Sequence, residues 1–355
     1  MKITTLTGVQ IEAIAACLPA QVQDNATACR ALYGDAVDAL IKTTGIREKR
    51  IVPRGVSSLD LCCRAAEQML LRTGIDRLSI GAVVCVTFTP DQWMPCNAVG
   101  AQARLGLSHE CLTFDINQAC AGYAIGLFQA GLLVKQLNRP VLLLDGDVQS
   151  PFVSPRDKGT FPILSDAGTA TLLVPAQTEA PWSFAFYSDG SQRDVLAIPA
   201  GGSKAPLDLT ALQEQQFSDG SMRRACDIAM DGFAVFAFVA QTVTKLAAEF
   251  IEQTQTAIQA IDAFVSHQAN VYMVKQLAKK LKITDEKVLI SCDRFGNSAS
   301  ATIPVTLAVK AQACLKNDRS TSLLLAGFGA GLSVAFARIT LPPTCCLDFV
   351  EHGES

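Results

Sequence analysis

The chain has 355 residues, 49% hydrophobic and 18% charged, with a net charge of −3. That composition excludes intrinsic disorder. The lack of a basic excess excludes nucleic-acid binding as a main role. The length suits two domains of about 150 residues, or one large two-part fold. The thirteen cysteines show no CxxC spacing, and Cys62-Cys63 and Cys345-Cys346 are adjacent. No metal site or disulfide framework is therefore expected. A reducing, cytoplasmic setting with cysteines as small core residues is the simplest reading. The N-terminal stretch carries Glu12 and no long apolar run, so it is not expected to act as a signal peptide.

In chain order, short apolar runs at 80–88, 111–116, 140–145 and 169–174 predict buried strands. Residues 116–134 carry no charge, but Asn117, Gln118, Gln129 and three glycines interrupt them. This predicts a helix buried on every side rather than a membrane span. Residues 178–226, with SDGS at 188–191 and a Pro/Gly-rich stretch at 199–206, read as a joint plus surface loop. Beyond it come a helix at 227–253, a strand at 261–266 and a helix at 271–281. A strand at 287–292, a helix at 300–315 and strands at 321–326 and 331–339 follow. Residues 342–355 open with two prolines and end polar, which predicts a frayed tail.

The second half repeats the grammar of the first. The segment starting IGAVVCVTF matches IDAFVSHQA, CLTFDINQACAG matches KVLISCDRFGNSAS, and PVLLLDGDV matches TSLLLAGFGAG. The repeat predicts two similar α/β halves, 1–177 and 178–341, related by a pseudo-twofold axis. Their central helices would meet back to back.

Three residues stand out chemically. Cys120 opens the central helix, where free N–H groups are expected to lower its pKa; the alternative is a buried structural thiol. His267 follows the 261–266 strand, where α/β sheets bind ligands, though a lone histidine there is more often structural. Asn297 holds the slot in the second half that Cys120 holds in the first. Alone it would be a helix cap. A thiol, an imidazole and an amide donor together suit acyl transfer. The turn Phe328-Gly329-Ala330-Gly331 has small residues whose N–H groups suit an oxyanion site, or form a tight turn only.

The stretches TTGIREKRI (43–51), DINQACAGYAIGL (115–127), DKGTFPILSDAGTATLLV (157–174), SHQAN (266–270), DRFGNSASATIPVTLA (293–308) and GFGAGLSVAFA (327–337) stand in one order along the chain. Together they resemble the β-ketoacyl-acyl-carrier-protein synthase III family of thiolase-fold condensing enzymes. The resemblance implies an α/β thiolase-like fold, with two pseudo-twofold-related halves in five layers. It implies that Cys120 takes the acyl group, and that His267 and Asn297 bind a malonyl thioester for decarboxylative condensation. The backbone N–H groups of Cys120 and Ala330 would form the oxyanion hole. Coenzyme A or phosphopantetheine thioesters would be substrates, with no metal and no tightly bound cofactor. A homodimer is implied, with Trp93 and Met94 at the partner's acyl pocket. Lys158, Gly232, Asn270, Phe328 and Gly329 would contact substrate. Lys275, Lys279 and Lys280 would dock a carrier protein, the alternative being an ordinary solvated face.

The chain departs from the family pattern at the entrance. Ala39, Thr43 and Lys158 stand where the family clamps adenine with an aromatic residue and arginines. Tyr272 and Ala237 stand where it places basic docking residues. The implied enzyme is a specialised member, in a lipid, secondary-metabolite or cofactor pathway. The competing readings are an acyltransferase that moves the acyl group to an alcohol or amine, and a non-catalytic partner in a heteromeric synthase. Release of carbon dioxide from a malonyl thioester separates the first from condensation.

Overall fold

The computed structural model describes residues 1–176 and 180–353; the boundary expected at 177/178 and the last two residues lie outside them. Two sheets carry the fold. The first runs Cys346–His352, Val9–Pro19, Ala167–Pro175, Val141–Asp147, Ala82–Val86 and Leu112–Ile116. The second runs Thr4–Leu6, Trp182–Ser188, Ser333–Leu341, Thr321–Gly329 and Ala263–Ser266.

Both sheets follow one pattern of directions. Val141–Asp147 pairs parallel with Ala82–Val86 and antiparallel with Ala167–Pro175. Thr321–Gly329 pairs parallel with Ala263–Ser266 and antiparallel with Ser333–Leu341. The strand expected at 287–292 would be the counterpart of Leu112–Ile116, but it shrinks to one bridge between Phe264 and Val288. The Gln268 side chain replaces part of the missing ladder. Its Oε1 accepts from Ser291 N (3.1 Å) and its Nε2 donates to Leu289 O (3.3 Å).

Alternation along the strands sorts side chains into layers. Val141 and Leu143 face the central core, while Leu142 and Leu144 face the outer one. The central layer consists of Gly122–Leu137 and Thr302–Lys310, each touching both sheets. A helix between two sheets must be apolar all round, which explains the uncharged stretch. Helix Ser58–Thr73 covers the outside of the first sheet, started by a Ser57/Asp60 capping box. Helices Gly232–Gln253 and Val271–Lys280 cover the second, through Phe250, Leu277 and their neighbours. The order is helix, sheet, helix, sheet, helix, the five layers of a thiolase-like fold.

Several expectations are corrected. The helix expected from 227 starts at Gly232, because the Asp231 side chain accepts from Ala234 N (2.9 Å) and caps it. It is the one helix among the described residues long and apolar enough to cross a bilayer. Its Phe238, Val243 and Phe250 are packed on the second sheet. The segment expected as joint and loop contains strand Trp182–Ser188, whose Trp182 and Phe184 enter the central core. The tail expected to fray is instead strand Cys346–His352, paired parallel with Val9–Pro19. A 2.7 Å ion pair between Arg50 and Glu351 holds it. All thirteen cysteines are free, and nine are buried, as core packing requires.

The outer helix lies against the first sheet without clearance. A Cβ on Gly168 would fall 2.5 Å from the backbone N of Cys62. Backbone cannot yield as a side chain can, so Gly168→Ala should cost about 1–3 kcal/mol of stability, measured by urea unfolding. A wild-type midpoint would contradict this packing.

Candidate active site

Strand Leu112–Ile116 ends in a link, 117–119, that delivers Cys120 to the floor of a cavity of 640 Å³. His267 comes from just beyond Ala263–Ser266, with its N–H on Ala326 O at 2.7 Å. Asn297 comes from the turn ahead of Thr302–Lys310, and its N–H donates to Ile163 O (2.9 Å). All three line this one cavity, as do Phe328, Gly329 and Ala330 from the turn between two strands of the second sheet.

The contact between that turn and Cys120 is tight. A Cβ on Gly329 would lie 2.6 Å from Cβ and 2.7 Å from Sγ of Cys120. With no side chain in the way, the backbone N–H groups of Ala330 and of Cys120 itself come near enough to the sulfur to favour its thiolate. They do not lower its pKa on balance. Burial is the larger effect and pushes the thiol up to about 12, with Asp147 and Asp145 adding to the rise. The depression expected from the helix start is thus overturned by desolvation.

His267 is set by a different balance. Burial pushes its imidazole down to about 4, against a hydrogen bond to Ala299 that favours the charged form. The ring is therefore neutral at pH 7. Nδ1 lies 3.1 Å from Ala299 O and 2.9 Å from Thr302 Oγ1. Thr302 Oγ1 donates its own proton to Ala299 O (2.8 Å). Both partners therefore accept, so Nδ1 carries the hydrogen and Nε2 a lone pair. The edge-on Phe328 ring, 5.5 Å away at 89°, fixes the imidazole plane.

Asn297 is oriented as a donor. Its Oδ1 accepts from Ala299 N (3.0 Å) and its backbone O from Gln149 Nε2 (2.9 Å) and Ser165 N (2.9 Å). Its Nδ2 has no hydrogen-bond partner among the described residues and belongs to a side chain that lines the cavity.

The other expected residues divide. Gly232 and Asn270 line the cavity, and Asn270 also caps Val271–Lys280 through Met273 N (2.8 Å). Lys158 does not line it; its ammonium donates to Asp219 O (3.0 Å) and so ties down the 217–221 loop. Trp93 and Met94 lie on the surface, 82% and 85% exposed, away from this chain's cavity. Lys275, Lys279 and Lys280 are exposed on one helix.

Some lining residues were not foreseen. Phe236 and Tyr272 stand at the cavity as a near-parallel pair, 6.3 Å apart at 24°. Phe88 lines it from a loop held by Asp147, whose Oδ1 accepts from Phe88 N (2.9 Å) and from Thr87 Oγ1 (3.0 Å). Burial pushes Asp147 up to about 7. Two acids closing the apolar strand PVLLLDGDV were the signal available in the sequence.

A cysteine ahead of one central helix, with histidine and asparagine brought to it from the other half of a duplicated five-layered fold, defines a thiolase-fold condensing enzyme. The comparisons narrow the class. The family pattern described as 3-Oxoacyl-[acyl-carrier-protein (ACP)] synthase III matches residues 114–190, and its C-terminal counterpart matches 251–341. A β-ketoacyl-[acyl-carrier-protein] synthase III of Rhodopirellula baltica is 30% identical, covering 92% of this chain and 97% of the relative. One from Roseiflexus castenholzii is 31% identical over 91% of this chain and 94% of its own. The crystal structure of a 3-oxoacyl-(acyl-carrier protein) synthase from Burkholderia xenovorans superposes with a TM-score of 0.92. It is 31% identical and covers 99% of both chains. The chain belongs to the β-ketoacyl-acyl-carrier-protein synthase III family of condensing acyltransferases.

With the thiol raised to about 12, iodoacetamide should modify Cys120 about tenfold faster per pH unit from pH 7 to 10. No plateau should appear near pH 8–9. Peptide mass spectrometry of the 120-containing fragment checks this, and an early plateau would mean a thiolate stabilised in the resting enzyme.

Proposed function

We propose that this chain transfers an acyl group to Cys120 and then condenses it with a malonyl thioester, releasing carbon dioxide and a β-ketoacyl thioester. The observation that carries this is the convergence on one cavity of Cys120, His267 and Asn297, whose Nδ2 has no partner among the described residues.

In the first step Cys120 Sγ attacks the acyl thioester carbonyl. The neutral His267 Nε2 takes the thiol proton, which a thiol raised to about 12 does not shed unaided. The N–H groups of Cys120 and Ala330 meet the oxyanion, and the donor leaves as a thiolate that solvent protonates. His267 Nε2–H and Asn297 Nδ2–H then bind the malonyl thioester carbonyl. Carbon dioxide departs, and its bonding electrons pass to an enolate that these two donors stabilise. The enolate carbon attacks the acyl-Cys120 carbonyl. The intermediate collapses, and the Cys120 sulfur leaves and regains the proton from His267.

The proposal includes a specialised pathway and a donor bound in an unusual way. Support comes from the entrance, where Ala39 and Thr43 are exposed in place of stacking groups. Phe236 and Tyr272 make that rim aromatic, and the exposed Phe233 follows the lining residue Gly232. A carrier protein approaching Lys275, Lys279 and Lys280 would meet these rings. It also includes a cytoplasmic homodimer in which the exposed Trp93 and Met94 reach a partner's acyl cavity.

The test is intact-protein mass after incubation with coenzyme A and carrier-protein thioesters, beside Cys120→Ala. An acyl adduct on the wild type alone is expected. His267→Ala and Asn297→Ala should lower malonyl decarboxylation by about 10²–10³, with Asn297→Ala still acylated. An acylated wild type that releases no carbon dioxide from malonyl thioesters would favour plain acyl transfer.

A further inference from the structure

The strand Val141–Asp147 points alternate residues at the central layer: Val141, Leu143 and then Asp145. Asp145 is fully buried where its predecessors are apolar. A carboxyl there is unfavourable unless it serves a bond that an apolar residue cannot make. It makes one such bond. Ser300 Oγ, itself fully buried, donates to Asp145 Oδ1 at 2.5 Å. Asp145 Oδ2 has no partner among the described residues. Burial holds the Asp145 carboxyl well above its usual range, against the Ser300 hydrogen bond that favours the charged form.

Ser300 sits in the middle of the turn Ala299–Ala301. The residue before it, Ala299, has φ +53°, a left-handed conformation that a non-glycine residue holds only when its surroundings impose it. Ala299 is also the residue whose carbonyl receives His267 Nδ1, and whose N–H is held by Asn297 Oδ1. A Cβ on Gly122 would come within 3.1 Å of Ser300 Cβ, so the turn also abuts the start of the helix behind Cys120.

We propose that Asp145 and Ser300 are a positioning pair: their hydrogen bond pins the 299–301 turn to the first sheet, holds the Ala299 carbonyl on His267 Nδ1, and so keeps Nε2 free to take the Cys120 proton. This rests on the reading of His267 as the base for acylation. The pair acts through Ala299 and touches no substrate.

The test uses the full chain labelled with ¹⁵N-histidine, with the three histidines assigned by a His267→Gln variant. In the wild type the His267 ring should show the Nδ1–H tautomer alone. Ser300→Ala should give mixed tautomers. Its acylation kcat should fall about tenfold, with KM within about twofold. Asp145→Leu should do the same, and the double variant should be no worse than either single one. Asp145→Asn, which keeps an acceptor for Ser300, should recover most of the loss. If Asp145→Leu does not fold, Ser300→Ala decides. A folded Ser300→Ala with the wild-type tautomer signature, or with wild-type acylation kinetics, would overturn the pair. The tautomer measurement stands even if no tested thioester acylates Cys120, which separates failure of the pair from failure of the proposed reaction.

Discussion

The site depends on a place where two backbones meet with nothing between them. The turn after Thr321–Gly329 rests on Cys120 so closely that a Cβ on Gly329 would overlap the cysteine's own side chain, and one on Gly327 would lie 2.9 Å from Ala121 Cα. Only because both positions are glycine does Ala330 N–H reach the sulfur. The same approach locks the two central helices and their sheets at a fixed spacing. It thereby sets where His267 and Asn297, both supplied by the second half, stand relative to the thiol.

Electrostatically the cavity is polar, and its two titratable reacting groups rest uncharged. Cys120 is held as a thiol and His267 as a neutral imidazole, in each case chiefly by desolvation. Charge would therefore appear there only during reaction, where preorganised N–H groups stabilise it most. This arrangement also explains why the helix start fails to create a resting thiolate. Its field is a fraction of a charge, and it competes with complete removal of water.

Much of the architecture was legible in the sequence, because each buried strand writes its apolar run locally. Val141–Asp147 and the uncharged central helix follow from pattern alone; Leu112–Ile116 is also a strand, but as a sheet edge with none of its five residues buried it departs from the buried strand expected. The meeting of Cys120 and Asn297 follows from the internal repeat. The failures share a physical cause, because their partners lie far away along the chain. Val9–Pro19 is a strand through its pairing with Ala167–Pro175 and Cys346–His352, the latter through Val9–Pro19, and Trp182–Ser188 through Ser333–Leu341. At 287–292 the strand pattern was real, but a side chain from Gln268 displaced the ladder. Tertiary burial decided the thiol's pKa, and no window of sequence reports it. The aromatic pair of Phe236 and Tyr272 is likewise created by two helices meeting, not by either alone.

The edge strands are exchanged between the sheets, since Thr4–Leu6 completes the second sheet and Cys346–His352 the first. This bears on how the chain matures as it is made. Val9–Pro19 leaves the ribosome early, yet one of its edges stays unpaired until 346–352 follow, hundreds of residues later. For that interval the growing chain presents an open β-edge rich in Ile and Ala, a template for wrong pairing. That edge of Val9–Pro19 is covered only when Cys346–His352 docks and becomes the sheet's edge in its place. Docking of Cys346–His352 is thus also the step that ends the exposure of the Val9–Pro19 edge.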